Sequence, residues 1–248
     1  MTVAVAPLRV VSLARRFGSV QAVADVSLGV APGEIVGFLG ANGAGKTTTL
    51  RCVAGLLALD AGRITVAGAD LAREPRVAKA RLGLVADRPF LYDTLSAREF
   101  LAFVAALYDL PAAAAERRAE ALLERFGLAA DAGRLLEGYS LGMRQKTAIV
   151  AAMLHSPPLL LLDEPLNGLD PLSARTLKEL LREHAAAGGG VLVSTHLLDV
   201  AERLCDRVVI LRAGRVVAEG TLETLRGGRA DRSLEDVFLE LGAPDGGA

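Results

Sequence analysis

The 248-residue sequence predicts an α/β fold with a mostly parallel sheet, an antiparallel β portion near the N-terminus and an inserted helical subdomain. Three observations predict it. Short β-rich apolar runs alternate with helical patterns along the chain. A glycine-rich octapeptide, Gly40-Ala41-Asn42-Gly43-Ala44-Gly45-Lys46-Thr47, joins one apolar run to a helical pattern. Between the two sets of strands, residues 96–151 are rich in Ala, Leu, Glu and Arg with helical spacing and little strand signal. The length suits one substantial core, read as a single domain over 1–248.

Taken in order, residues 26–30 and 34–38 read as strands and 46–57 as a helix. Residues 63–66 and 82–86 are further strands. The helical subdomain is placed at about 88–152, with 114–126 its clearest helical pattern. Its apolar stretches, 100–108 and 147–154, fall short of the roughly 18–20 residues that a membrane-spanning helix needs. The second runs into His155-Ser156-Pro157-Pro158, so both read as buried helices. Strands resume at 159–163, 191–195 and 207–211. A helix over 173–187 is ended by Gly188-Gly189-Gly190. Arg212-Ala213-Gly214-Arg215 reads as a hairpin turn. A short C-terminal extension begins at about 221, and the Gly- and Ala-rich residues 242–248 are expected to fray.

The 28 basic and 29 acidic residues give a net charge of −1. That balance shows no basic excess, so no nucleic-acid partner is expected. The start, Met1-Thr2-Val3-Ala4, lacks the basic opening of a secretory signal. Any membrane association is therefore expected to come through a partner. Cys52 and Cys205 stand far apart, outside any metal-ligand spacing, and read as buried reduced thiols. His155 and His184 read as solvated or capping residues. Only His196 has a context that suggests chemistry.

The octapeptide fits G-x-x-x-x-G-K-[ST], preceded by the apolar strand 35–39 and followed by a helix. Glycines let the backbone curl so that successive N–H groups point at phosphate oxygens. The helix N-terminus adds partial positive charge. Lys46 supplies a cation for β- and γ-phosphates, and Thr47 offers its hydroxyl to Mg²⁺. Gly40, Asn42, Gly43, Ala44, Gly45, Lys46, Thr47 and Thr48 are thus candidate nucleotide-binding residues. The fold is accordingly expected to have a P-loop nucleotide hydrolase core. The run Leu159-Leu160-Leu161-Leu162-Asp163-Glu164 reads as a buried strand delivering two carboxylates to the same sheet edge. Asp163 can hold Mg²⁺, and Glu164 can polarise the water that attacks the γ-phosphate.

With these motifs in place, nearly the whole chain resembles the ATP-binding cassette family. Tyr139-Ser140-Leu141-Gly142-Met143-Arg144-Gln145 resembles the family's signature motif. It departs from the commonest form, with Leu141 in place of the first Gly and Met143 in place of Gln. The resemblance implies that Ser140 and Gly142 face an ATP held by a second subunit, so that each nucleotide lies between two chains. Asn167-Gly168-Leu169-Asp170 matches the loop that crosses that dimer interface, with Asp170 helping to join the two sites. His196, in Ser194-Thr195-His196, resembles the switch histidine that contacts the γ-phosphate. Phe17, in Arg16-Phe17-Gly18, stands where the family has an aromatic residue stacking on adenine.

Asp87 stands where the family has a glutamine. Its carboxylate could ligate Mg²⁺ through an oxygen, with Arg88 offsetting the added negative charge, or it could cap the Arg88-Pro89 turn. Residues 233–238, Ser-Leu-Glu-Asp-Val-Phe, resemble the C-terminal end of cassette subunits serving export-type permeases. The resemblance implies an ATPase that uses ATP and Mg²⁺. It would work as a homodimer, or as a heterodimer with a second cassette. It would power transport, export favoured, through a separate transmembrane permease at the cytoplasmic face of the cell membrane. The alternative is a soluble relative acting on ribosomes or DNA. Such proteins usually carry two cassettes or a long coiled-coil insertion. This chain has one cassette and no long heptad run, which favours transport.

Overall fold

The computed structural model describes residues 5–229 and 232–242. Strands β1 (Leu8–Phe17) and β2 (Val20–Val30) open the chain, followed by β3 (Ile35–Leu39) and helix α1 (Lys46–Val53). Next come β4 (Ala61–Val66), β5 (Ala69–Asp70), α2 (Pro75–Ala80) and β6 (Leu82–Val85). Helices α3 (Ala97–Leu107), α4 (Ala112–Arg125) and α5 (Leu141–Leu154) follow, with a single 3₁₀ turn, Leu136–Gly138, before α5. The chain then alternates through β7 (Leu159–Asp163), α6 (Pro171–Ala186), β8 (Gly190–Thr195), α7 (Leu198–Leu204) and β9 (Arg207–Arg212). It ends with β10 (Arg215–Thr221), α8 (Leu222–Leu225) and α9 (Leu234–Gly242).

The strands form one sheet in the order β5-β4-β1-β2-β10-β9-β3-β8-β7-β6. Strands β9, β3, β8, β7 and β6 are mutually parallel, whereas β1, β2, β4 and β5 pair antiparallel. Every residue of β3 and β7 is buried. That is why their sequences, IVGFL and LLLLD, are almost continuously apolar: helices cover both faces of a parallel sheet. One hydrophobic cluster joins the sheet to α3–α7 and α9, and a second joins it to α1, α2 and the N-terminal strands. The fold is the α/β arrangement expected, with its antiparallel portion at the N-terminal side.

Strand register brings three loops together. Leu39 pairs with Thr195, and Asp163 pairs with Ser194, each at or near the C-terminal end of its strand. The residues after β3, β7 and β8 therefore emerge side by side at one sheet edge, where ligands of open α/β sheets bind.

Several expectations need adjusting. Strand β1 has no counterpart among the strands expected from sequence, and β2 starts six residues before position 26. Helix α1 stops at Val53 rather than 57, and α6 begins at Pro171, capped by Asp170. His155 takes the capping alternative rather than the solvated one. It is the C-cap residue of α5, its Nε2 lies 3.1 Å from the Leu82 carbonyl oxygen, and its ring stacks on Tyr108 at 3.8 Å. His184, in the last turn of α6, is half-buried rather than solvated. Burial lowers the pKa of both histidines, because the charged form loses its hydration. Cys52 and Cys205 are buried and free, as expected, and burial pushes the Cys205 thiol up to about 12. Of the tail expected to fray, Gly242 ends α9 and 243–248 lie outside the described residues.

Candidate functional site

The phosphate loop runs from the end of β3 into α1. Gly45 occupies the N-cap of α1 with φ 108°, and a Cβ there would lie 2.4 Å from the Ala22 carbonyl oxygen. Only glycine fits both constraints. The cap offers no side-chain acceptor, and the first turn holds no acidic residue. The leading N–H groups of the helix thus have neither an intrahelical nor a capping partner, which suits an anion.

Lys46 is only 7% exposed. Its ammonium donates to the carbonyl oxygens of Gly40 (2.6 Å) and Ala41 (3.3 Å) and lies 4.0 Å from Glu164 Oε1. Burial lowers its pKa, and the charges of Glu164 and Asp163 pull the other way. The cation is therefore held at the loop by two carbonyls and two acidic neighbours.

Asp163 ends β7 and is buried, and Ser194 Oγ on β8 donates to its Oδ1 at 2.6 Å. Glu164 follows in a left-handed backbone conformation, φ 48°. That costs a non-glycine residue about 1–3 kcal/mol. The Glu164 N–H is held by the Ser194 carbonyl oxygen (3.1 Å) and hydroxyl (3.2 Å), which keep it there. Its carboxylate spans two groups: Oε1 faces Lys46, and Oε2 lies 3.0 Å from His196 Nδ1. His196 follows β8 and is exposed on the cavity side.

Gly45, Lys46, Glu164 and His196 line one cavity of about 350 Å³ with Ala41, Asn42, Gly43, Thr47, Thr48 and Asp87, while the buried Asp163 is not among the lining residues. Asp87 Oδ1 accepts from Asn167 Nδ2 at 3.2 Å. Asp87 thus lines the cavity and is bonded to the loop that follows Glu164. Ala22 and Asn167 also line the cavity. The sequence motifs mark neither as a ligand-facing residue. For Asn167 a signal existed, since it follows the acidic pair by one tight turn.

Phe17 is not among the cavity-lining residues. It ends β1, 44% exposed, with the Arg15 guanidinium 4.8 Å above its ring. Ser140, Gly142 and Asp170 also lie outside the cavity. Ser140 caps α5, its Oγ accepting the Met143 N–H at 3.3 Å. A Cβ on Gly142 would lie 2.5 Å from the Gly168 carbonyl oxygen, so the start of α5 rests directly on the 167–170 loop. Asp170 caps α6 by accepting from Ser173 N and Oγ, and it pairs with Lys146 at 2.9 Å. These bonds hold its pKa far below the usual carboxylate range, the Ser173 hydroxyl contributing most. One chain thus brings together the loop, the acidic pair, His196 and Asp87, and holds the residues 140–142 start of α5 apart from them.

The donor set beside the loop suits Mg²⁺: a hydroxyl (Thr47) and two carboxylates (Asp163, Asp87) next to a phosphate cradle. Among the described residues no group of three or more His, Cys, Asp and Glu could hold a metal alone. Magnesium is characteristically bound that way, with phosphates and water completing its shell.

The comparisons agree with this geometry. A family model described as ABC transporter matches residues 23–167. The chain is 40% identical over 221 residues to the ABC transporter ATP-binding protein NatA of Bacillus subtilis (strain 168), covering 89% of this chain and 90% of that protein. It is 39% identical over 228 residues to the daunorubicin resistance ATP-binding protein DrrA3 of Streptomyces coeruleorubidus, covering 92% and 72%. A solved structure of the ATP-binding subunit of an ABC transporter superposes with a TM-score of 0.91 at 40% identity, covering 95% of this chain and 99% of that one.

Proposed function

This chain belongs to the ATP-binding cassette family, as an ATP-binding and ATP-hydrolysing subunit of a transporter, and from that premise we propose which of its residues do the work and what the work drives. The carrying observation is the convergence on Glu164, whose carboxylate touches His196 on one side and faces Lys46 on the other.

In this reading the N–H groups of residues 43–48 and the Lys46 ammonium bind the β- and γ-phosphates. Glu164 accepts a proton from water as its oxygen bonds to the γ-phosphorus and the bond to the ADP oxygen breaks. His196 Nδ1 is engaged by Glu164, which leaves Nε2 to meet a γ-phosphate oxygen. Thr47, Asp163 and Asp87 would hold Mg²⁺, which when bound neutralises phosphate charge. Phe17, on β1, would stack on adenine.

Ser140 and Gly142 would complete the site on a second cassette. The start of α5 carries no acidic residue in its first turn, and Leu141 beside it is 62% exposed. Such an uncapped-by-charge helix end, left outside its own chain's cavity, suits a phosphate held by a partner. Asp170 keeps the 167–170 loop in place between the two sites. A homodimer, or a heterodimer with a second cassette, follows.

We read 88–152 as the helical subdomain and 221–248 as a C-terminal extension of one cassette domain. No helix among the described residues is long and apolar enough to cross a membrane. Just after Asp87, Phe90 (83% exposed), Tyr92 and Phe103 form an exposed aromatic cluster with edge-on contacts at 5.8 and 5.5 Å. A contiguous apolar patch of this kind marks a protein interface, and a separate transmembrane permease on the cytoplasmic face of the membrane fits it. Export is favoured by residues 233–238 and by the drug-resistance role in the name of the DrrA3 relative. NatA and the solved neighbour are named as ATP-binding parts of ABC transporters, which favours transport over the alternative of an ATPase on ribosomes or DNA.

The test is affinity purification of the tagged chain from detergent-solubilised membranes. A multi-spanning membrane protein should copurify, and Phe90→Ser with Phe103→Ser should release it. Recovery with ribosomes, or from membranes with no membrane protein attached, would contradict the reading.

A further inference from the structure

The phosphate loop is also gripped by main chain outside the loop itself. The tip of the β9–β10 hairpin reaches it. The Gly214 N–H donates to the Ala44 carbonyl oxygen at 2.9 Å, and the Gly214 carbonyl oxygen accepts from the N–H groups of Ala24 (2.8 Å) and Asp25 (3.2 Å). Gly214 has φ +73°, and a Cβ on it would lie 2.8 Å from Ala24 N and 2.9 Å from Val23 Cα. It would also lie 3.0 Å from the Ala22 carbonyl oxygen, the same atom that leaves no room for a Cβ on Gly45. At the other end of the loop, a Cβ on Gly40 would strike the Leu211 carbonyl oxygen at 2.6 Å. Strand β2, the hairpin and the phosphate loop thus meet main chain to main chain, with no space for a side chain between them.

Helix α9 packs on α7 and α8 and also reaches the same hairpin. Arg212 Nη1 donates to the Leu241 carbonyl oxygen at 2.6 Å, and the helix buries its own Leu234 and Val237. Phe238 and Leu241 close one side of a cavity of about 280 Å³ whose other walls include residues 41–44 of the loop and Leu211 of the hairpin. The helix and the loop therefore share one cavity, and each is bonded to the hairpin.

We propose that Gly214 is a positioning residue for the phosphate loop, and that α9, which is bonded to the same hairpin and walls a cavity with the loop, sets how well the loop binds nucleotide. The proposal rests on the reading of residues 40–48 as the nucleotide cradle. A cradle of N–H groups binds phosphate only while those groups converge on it, and the Gly214–Ala44 bond fixes the middle of the loop. Displacing it should weaken a charge-assisted hydrogen bond to phosphate, which corresponds to about tenfold in affinity or more.

The test measures the affinity of the full chain for a non-hydrolysable ATP analogue, with melting temperature and turnover recorded in parallel. Gly214→Ala should raise the dissociation constant about tenfold. Phe238→Ala should raise it and KM about threefold, with kcat within twofold of the parent. A residue that merely supports the fold would lower the melting temperature and leave the affinity unchanged, and that result would overturn the proposal. Hydrogen exchange of the parent chain covers the case in which Gly214→Ala does not fold. The analogue should slow exchange at the Gly214 amide and within α9 as well as at residues 43–48. Protection confined to residues 43–48 would also overturn it. A parent that binds no analogue would instead contradict the cradle reading itself.

Discussion

Gly142→Ala is a small change that reaches the proposed shared site at a residue outside the chain's own nucleotide cavity. The added methyl would start 2.5 Å from the Gly168 carbonyl oxygen, and ordinary contact begins near 3.4 Å. Either the start of α5 or the 167–170 loop must therefore retreat by about 0.9 Å. Both elements are anchored: Ser140 and Asp170 cap the two helices, and Lys146 ties Asp170 to α5. The displacement is thus carried to the Ser140 end of α5, the end proposed to face the partner's γ-phosphate. A shift of this size in a positioned group costs about 100-fold in rate. Overpacking adds about 1–3 kcal/mol of instability, which thermal unfolding reads separately. The assay is steady-state ATP turnover alongside ATP affinity of the same preparation. Turnover should fall about 100-fold, while affinity for the chain's own cavity changes little. Mixing this chain with a Lys46→Ala chain should restore part of the activity, since one of the two sites is then intact. Turnover within twofold of the parent in Gly142→Ala alone would refute the shared-site reasoning.

The same geometry sets three further outcomes. Asp87→Ala should raise the Mg²⁺ concentration needed for half-maximal hydrolysis, and Asp87→Gln should keep measurable turnover; an unchanged Mg²⁺ titration in Asp87→Ala removes Asp87 from the metal's shell. Asp170→Asn should lower the melting temperature at neutral pH. Because the native pKa of Asp170 is depressed, its stabilisation is present above the ordinary carboxylate range and lost as pH falls through the native value. The gap between parent and variant should therefore close in strong acid, and a gap independent of pH would contradict the assignment. Lys46→Ala should abolish detectable binding of a non-hydrolysable ATP analogue while leaving the fold intact by circular dichroism; retained binding would remove Lys46 from the cradle.

The features legible in the sequence are those whose chemistry is local. The spacing of Gly40, Gly45, Lys46 and Thr47 dictates a turn and a helix start, and the leucines of β7 form an unbroken apolar run because both faces are covered. Ser140 as a cap is legible for the same reason, since the cap bond spans only three residues. Strand β1 is not legible. Its alternation is broken by Ser12 with φ 47° and by register shifts against β2 between Val10 and Leu13 and again near Arg15. The contact of Asn167 with Asp87 and the role of Gly214 are hidden because they are tertiary, although the position of Asn167 just after the acidic pair is legible. Asn167 reaches Asp87 across eighty positions, and Gly214 bonds to Ala44 from a turn that the sequence marks only as a turn. The left-handed backbone of Glu164, which directs its carboxylate between Lys46 and His196, is hidden too, because it depends on the Ser194 hydroxyl in the neighbouring strand.

The proposed mechanism makes Glu164 the group that takes the proton from water. Glu164→Gln preserves the shape and leaves the Lys46 and phosphate-loop contacts in place. Turnover and sizing chromatography in the presence of ATP should be measured on the same sample. Hydrolysis should fall by about two to four orders of magnitude, and the chain should elute as a dimer retaining uncleaved ATP. Hydrolysis at the parent rate would contradict this mechanism at its centre, and so would a variant that binds ATP but remains monomeric.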